Sequence, residues 1–380
     1  MKKFLLSLTV ACAAAISASA QLNGDGFYRA KNVYTGRYIT VKDNHGKINT
    51  ASTSVDAAAL ETSLNWDYIS SDPGSIIYIQ KQSNGEYNIM AQGTSVHDMI
   101  GYYVKLTDGK EAGSYRVWQT HAGMTIYLTD TRDENPEGGF TEEGFIYSDG
   151  KKTMDWNVIP VSSSTDNYIG IKPTVNVGNK YYAAYFNGFS FEPASDGMKV
   201  IYITKVDEEK GFAVYKEVTG KVPQKSPVIV ECSSSETTNN RINPLLENTS
   251  ALSGNMLQGN YFNVWNIMTG HKNRTAYDPN TMRVIGVCSN GRAGLVKSAT
   301  LDYLPANSSY LTVSANCVDE LVLVTEEEYA TGINEVKSDD VKTSSDIYNM
   351  AGVKVRSNAS TTAGLPQGIY LFKGKKVVVE

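Results

Sequence analysis

The chain has 380 residues, with 35 basic and 40 acidic side chains giving a net charge of −5, and 41% of its residues are apolar. This length suggests about two or three domains, and the acidic balance argues against nucleic acid or an anionic membrane as partner, since little here offsets phosphate charge. Four cysteines are too few for a framework of disulfides.

The first twenty residues, MKKFLLSLTVACAAAISASA, set two lysines before an apolar run that ends in Ala18-Ser19-Ala20. That is the pattern of a secretory signal peptide, which makes Gln21 the expected start of the mature chain. A lipid-attachment alternative would use Cys12, but the apolar run before it is short and Thr9 fits that pattern poorly. Without Lys2 and Lys3 the 35 basic residues fall to 33 against 40 acidic, a mature charge near −7. No later segment approaches the ~20 apolar residues needed to span a bilayer, so no transmembrane anchor is expected. Cys232, Cys288 and Cys317 remain, an odd number whose plain reading is buried thiols. Twenty-four tyrosines against ten phenylalanines point to half-exposed aromatics, common on binding surfaces.

Gly26–Val41 (GFYRAKNVYTGRYITV) reads as strand, turn and strand, with Arg37, Ile39 and Val41 alternating with Tyr38 and Thr40. The pattern returns at Ile77–Met90 (IYIQKQSNGEYNIM) and at Tyr115–Leu128 (YRVWQTHAGMTIYL). Setting Gly36, Gly85 and Gly123 in register aligns Tyr28 with Ile77 and Tyr115, Ala30 with Ile79 and Val117, and Val41 with Met90 and Leu128. Three copies of one hairpin imply a repeat architecture. Between the first two copies, Ser54–Ser63 is the one stretch that could form a helical turn or two. Trp66 and Trp156 close repeats, after Leu64 and Met154 respectively. Tyr28, Ala30, Asn32, Thr35-Gly36, Ile39 and Val41 resemble the opening half of the ricin-type β-trefoil repeat, in which a Q-x-W motif closes each copy. The resemblance implies a β-trefoil over residues 21–162 and a lectin-like function. Thr40 stands where sugar-binding members carry an acidic residue, and Leu64 and Met154 replace the motif's glutamine. Thr129–Lys152, with Asp130, Asp133, Glu134 and Asp149, reads as a solvated acidic insertion rather than a calcium loop, because its spacing matches no defined ligand set.

Val161–Asp166 (VSSSTD) reads as a linker. Beyond it, Lys199–Val206, Ala213–Val218, Pro227–Cys232, Met282–Val287 and Leu321–Val324 read as strands of a β-sandwich-like domain over 167–325, with a polar loop at Ser233–Asn243. Tyr181–Gly188, Pro223–Val228 and Leu304–Leu311 resemble a β-rich module of Bacteroidota surface proteins. Residues 326–346 read as a second linker, and 347–380 as a small C-terminal β-hairpin segment with a turn at Asn349–Gly352. Ile347–Val355 and Leu365–Val379 resemble the C-terminal sorting segment of Bacteroidota secreted proteins, which implies secretion machinery as a partner.

For chemistry there is little to work with. The chain has four histidines, His45, His97, His121 and His271, and none has a recognisable catalytic setting. It has no G-x-S-x-G elbow, H-E-x-x-H pair or Gly-rich phosphate loop. Cys288 with His271 is a thinly supported thiol–imidazole pair. The expectation is an all-β, exported, non-catalytic protein, extracellular or at the outer surface with the periplasm as an alternative. It would bind extracellular glycans or envelope components and need no cofactor or metal. Tyr34, Asn44, His45, Tyr87 and His121 are the candidate ligand-binding residues, because loop ends carry function disproportionately. A structural or adhesive envelope protein is the second reading, and a hydrolase with an unrecognised site the third.

Overall fold

A computed structural model describes residues 22, 24–41, 60–63, 66–92, 105–121, 123–128, 145–146, 154–247, 249–260, 265–266, 271–272, 275–331, 346–350, 352–372 and 375–379. Residues 1–21, Asn44, His45, Leu64, most of the 129–152 insertion and residues 332–345 lie outside them.

The chain is all-β. Its first unit contains strands β1 (Gly26–Asn32), β2 (Tyr38–Val41), β3 (Leu60–Ser63), β4 (Ile77–Lys81), β5 (Tyr87–Ala91), β6 (Lys105–Asp108), β7 (Tyr115–His121), β8 (Met124–Leu128), β9 (Phe145–Ile146) and β10 (Asp155–Pro160). They form one sheet in the order β3-β2-β1-β10-β7-β8-β9, with β4 added to β1, β5 to β4 and β6 to β7. β1 is shared between neighbours: Gly26–Tyr28 pairs with β4, while Tyr28–Asn32 pairs with β10. The first and last strands of the unit therefore close on each other. Gly36, Gly85 and Gly123 have φ of +72°, +82° and +79°, the left-handed conformation that a residue without a Cβ adopts at little cost. At one position of the register drawn from those glycines, Ala30, Ile79 and Val117 are all buried, in one core with Tyr28, Ile77, Leu128 and Trp156. Trp156 is fully buried and donates its indole N–H to the Leu128 carbonyl at 3.0 Å. The expected helical turn over Ser54–Ser63 is corrected at its end. Leu60–Ser63 is extended and pairs with β2, and the helix α1 (Trp66–Ser71) follows it.

The second unit runs through β11 (Ile169–Gly170), β12 (Val175–Val177), β13 (Lys180–Tyr185), β14 (Ser190–Pro193), β15 (Lys199–Asp207), β16 (Phe212–Glu217), β17 (Val228–Cys232), β18 (Arg241–Leu245) and β19 (Leu257–Asn260). It continues with β20 (Trp265–Asn266), β21 (His271–Lys272), β22 (Met282–Val287), β23 (Ala293–Val296), β24 (Ser308–Thr312) and β25 (Glu320–Thr325). Ten of these form a sheet ordered β12-β13-β17-β15-β16-β25-β23-β22-β24-β19, whose only parallel pair is β16 with β25. The sheet curls until β13 meets β22 and β24, and a core with Tyr182, Ile201, Ile203, Ile229 and Leu323 fills it. A three-stranded sheet, β11-β18-β14, covers the other face of β13, β17 and β15 over a second core containing Ala183, Val200, Val228, Val230 and Ile242. β17 thus buries Ile229 on one side and Val228 and Val230 on the other, which is why Val228–Val230 is a continuous apolar run rather than an alternating one. The expected polar loop over Ser233–Asn243 is corrected at its C-terminal end. Arg241–Leu245 is a strand that anchors Ile242 in that second core.

The linker expected at Val161–Asp166 takes the form of a hydrogen-bonded turn. The Asn167 side-chain amide donates to the Ile159 and Pro160 carbonyls, and Arg241 donates to the carbonyls of Ser163 and Thr165. The helix α2 (Glu326–Thr331) occupies the start of the second expected linker and packs on β16 and β25. At the C-terminus, β26 (Ile347–Asn349), β27 (Lys354–Arg356), β28 (Gly368–Phe372) and β29 (Lys375–Val379) form an antiparallel sheet ordered β27-β26-β28-β29. Its own small core holds Ile347, Ala359 and Tyr370. Among the described residues no helix is long and apolar enough to cross a membrane.

Candidate functional site

The three candidate ligand residues that the structure describes, Tyr34, Tyr87 and His121, fall on three different hairpins. Tyr34 is 52% exposed in the turn between β1 and β2. Tyr87 is not a loop-end residue: it begins β5, opposite Lys81, and lies half-buried against the first core. Alternation along β5 explains this, because a residue two positions from Ile89 shares its inward face. His121 ends β7 with its backbone opposite Met124, and its side chain is outside the described set. Asn44 and His45 are outside it altogether.

The structure does assemble a mixed aromatic and polar face, on the outer side of the third hairpin. Val117 points into the core, so its neighbours Arg116 and Trp118 point away from it. Trp118 lies directly opposite Tyr127 on β8 and Lys105 on β6, so all three share the outer face. The Trp118 and Tyr127 rings are both half-buried, with centroids 6.5 Å apart and planes tilted by 42°. The Trp118 indole N–H donates to Thr107 Oγ1 at 3.2 Å, and the Lys105 ammonium stands 5.0 Å from the Trp118 ring centroid. Exposed Thr107, Thr120 and Thr125 border the rings with hydroxyl groups. Beside Tyr127, the Arg116 guanidinium lies 6.0 Å from the ring centroid and donates Nε–H to Asp155 Oδ1 at 2.7 Å. The other Asp155 oxygen accepts backbone N–H groups from Lys110 and Glu111, so this carboxylate is held by three donors. Sequence reading missed Trp118. The available signal was a tryptophan out of phase with the apolar positions of its own strand, at the non-core parity of a hairpin.

Elsewhere several charged groups have structural roles, and the described cysteines are buried. The buried Arg283 spends its guanidinium on the carbonyls of Pro279, Met282, Cys317 and Val318. Glu231 accepts the Tyr182 hydroxyl at 3.0 Å and pairs with Lys180 at 3.2 Å, and burial with this carboxylate beside it pushes the Tyr182 hydroxyl up. Cys232, Cys288 and Cys317 are free and buried. Burial pushes the Cys232 thiol up to about 12 and the Cys288 thiol to about 11, so neither holds much thiolate at neutral pH. Among the described residues no group of three or more His, Cys, Asp and Glu side chains is arranged to hold a metal ion.

No protein-family model matches the chain, and no curated protein matches it. Among solved structures, one described as "Structure and mode of action of a mosquitocidal holotoxin" aligns with 77% of this chain and 40% of its own at 10% identity and a TM-score of 0.26. The chain thus spans less than half of that toxin's length, and so low a score carries no argument about fold or function.

Proposed function

We propose that this is an exported, non-catalytic glycan-binding protein whose binding surface is the Trp118–Tyr127 face of the first unit. The observation that carries the reading is that face itself: two half-buried rings side by side, bordered by hydroxyls, a lysine and a fixed arginine–carboxylate pair. Sugars present C–H faces that pack on aromatic rings and hydroxyls that need a few fixed polar groups, and this surface offers both. The first unit is read as a β-trefoil, supported by three hairpins with left-handed turn glycines and by pairing of its first and last strands. In this reading the ligand face is not the hairpin-end position suggested by Tyr34 and His121.

For localisation, the proposal keeps the secretory leader and gives the C-terminal sheet the role of a docking module for the export apparatus. Six of the eleven exposed large apolar residues among the described positions, Met350, Val353, Val355, Ile369, Leu371 and Val378, lie in this sheet and its turns. Such a concentration marks an interaction surface rather than chance exposure. The structural or adhesive reading has no specific observation in its favour.

The test is a glycan array probed with the full mature chain and with Trp118→Ala. Binding to at least one glycan class, weakened about 30-fold or more in the variant, is the expected result for an aromatic anchor. Absence of binding to every host, plant and microbial glycan would overturn the reading.

A further inference from the structure

The charges around the aromatic face are unequal, and the imbalance selects a ligand class. Two cations border the rings, Lys105 at Trp118 and Arg116 at Tyr127. Arg116 is neutralised where it stands, because the Asp155 carboxylate meets its Nε–H at 2.7 Å and both side chains are close to buried, at 11% and 4% exposure. Asp155 in turn is fixed by the Lys110 and Glu111 backbone amides, so this pair cannot swing away to meet a ligand without orphaning two N–H groups. Lys105 differs: it is exposed, and among the described residues no carboxylate pairs with it. Its neighbour is the Trp118 π-face, which attracts an ammonium only weakly at an exposed site. Among the described residues the face therefore carries one positive charge that no carboxylate pairs with, its ammonium 5.0 Å from the centroid of the ring on which a sugar would stack.

We propose that the Trp118–Tyr127 face selects anionic saccharides, in which a sugar ring packs on the aromatic pair while its carboxylate or sulfate pairs with the Lys105 ammonium. This rests on the glycan-binding reading above and adds the ligand class to it. A neutral sugar would have to share the ring with the lysine and gain nothing from it. An anionic one converts the same ammonium into a charge-assisted contact, the stronger kind of hydrogen bond. The chain as a whole is acidic, so long-range steering opposes such a ligand, and the preference must come from this local contact.

The experiment uses the full mature chain against uronate- and sialate-containing oligosaccharides, each beside its carboxyl-reduced neutral counterpart. Sulfated oligosaccharides, each beside its desulfated form, make a second arm. The expected result is about five- to tenfold tighter binding of the charged member in at least one arm, weakened by added salt. Lys105→Gln, which keeps the aliphatic stem, is expected to erase that preference, so that charged and neutral members bind alike, whereas Trp118→Ala weakens both members. The arm that shows the preference identifies the anion. If charged and neutral members bind alike, or the preference survives in Lys105→Gln, the anionic assignment is wrong although the glycan reading stands. Loss of the glycan reading has a different signature: no oligosaccharide binds, or binding is unaffected by Trp118→Ala.

Discussion

Arg29 shows how one side chain can hold two units together. It is fully buried, and its guanidinium donates to Ser75 Oγ at 2.8 Å, Asn167 Oδ1 at 2.9 Å, and the carbonyls of Tyr168 at 2.7 Å and Ile69 at 2.8 Å. These acceptors belong to β1's own unit and to the junction with the second. Burial lowers its pKa to about 10, still well above neutral pH, so the group stays charged and depends on those oxygens for solvation. Arg29→Ala leaves several buried acceptors unpaired, and the expected loss is about 3–5 kcal/mol in chemical denaturation. A loss below about 1 kcal/mol would show that water replaces the guanidinium. None of this was legible beforehand. In Tyr28-Arg29-Ala30 the alternation sends Arg29 away from the core, and the outward side of a strand normally means solvent. What covers it comes from Asn167 and Tyr168, 138 and 139 residues away, and no local pattern records a cover from so far along the chain. Trp118 was hidden for a related reason: an outward tryptophan and a core one look alike until the parity of the strand is known.

At the scale of elements, the legible parts were those whose cause is local. The three hairpins announce themselves through period-two alternation and a glycine that the turn requires, and the strands of the second unit through β-branched runs. The helix α2 was misread as linker because Thr325-Glu326-Glu327-Glu328 looks like a solvated acidic run. Its structure is a capping box, in which Glu328 accepts the Thr325 N–H at 2.7 Å and Thr325 Oγ1 accepts the Glu328 N–H at 3.1 Å. What holds the helix to the sheet is Tyr329, which meets Phe212 edge-on, lies 4.2 Å from the Lys205 ammonium, and donates its hydroxyl to Asp207 at 2.8 Å. The Tyr329 hydrogen bond, with the Lys210 backbone N–H, holds the Asp207 carboxyl below its usual value. A depressed folded-state pKa means the contribution is complete above the unfolded carboxylate range, near about 3.9, and is lost as pH falls through the lower folded value. Amide exchange of residues 326–331 should therefore accelerate as pH drops below about 4, beyond the intrinsic trend, in the native chain only. Asp207→Asn should show the same protection on either side of that range. A native chain with no such step would mean that Phe212 and the cap alone dock the helix.

The whole molecule bears on whether its first two units are separable. A polar joint would let each melt alone, yet the contacts across the junction are those of an interior. Phe27 of β1 packs against Phe189 with ring centroids 5.4 Å apart, and Ile76 from the first unit lies in the core formed by β11, β13, β14, β15, β17 and β18. Phe186 reaches the other way, into contact with the first unit's core. A Cβ on Gly259 would clash with the Phe186 ring, so this glycine makes room for the crossing side chain. Gln92 and Asn307 complete the seam: both backbones are left-handed, the Asn307 side-chain amide donates to Gln92 Oε1 at 3.1 Å, and so does the Gly188 N–H at 3.1 Å. The C-terminal sheet, by contrast, encloses a core of its own residues. Calorimetry of the full chain should therefore show one main transition for both units together. Phe189→Ala, a large-to-small change at the seam worth about 3–5 kcal/mol, should shift that whole transition downward without splitting it. Deleting residues 346–380 should leave it where it is. Two resolved transitions in Phe189→Ala, with one of them at the original temperature, would mean that the units fold independently and that the seam merely docks them.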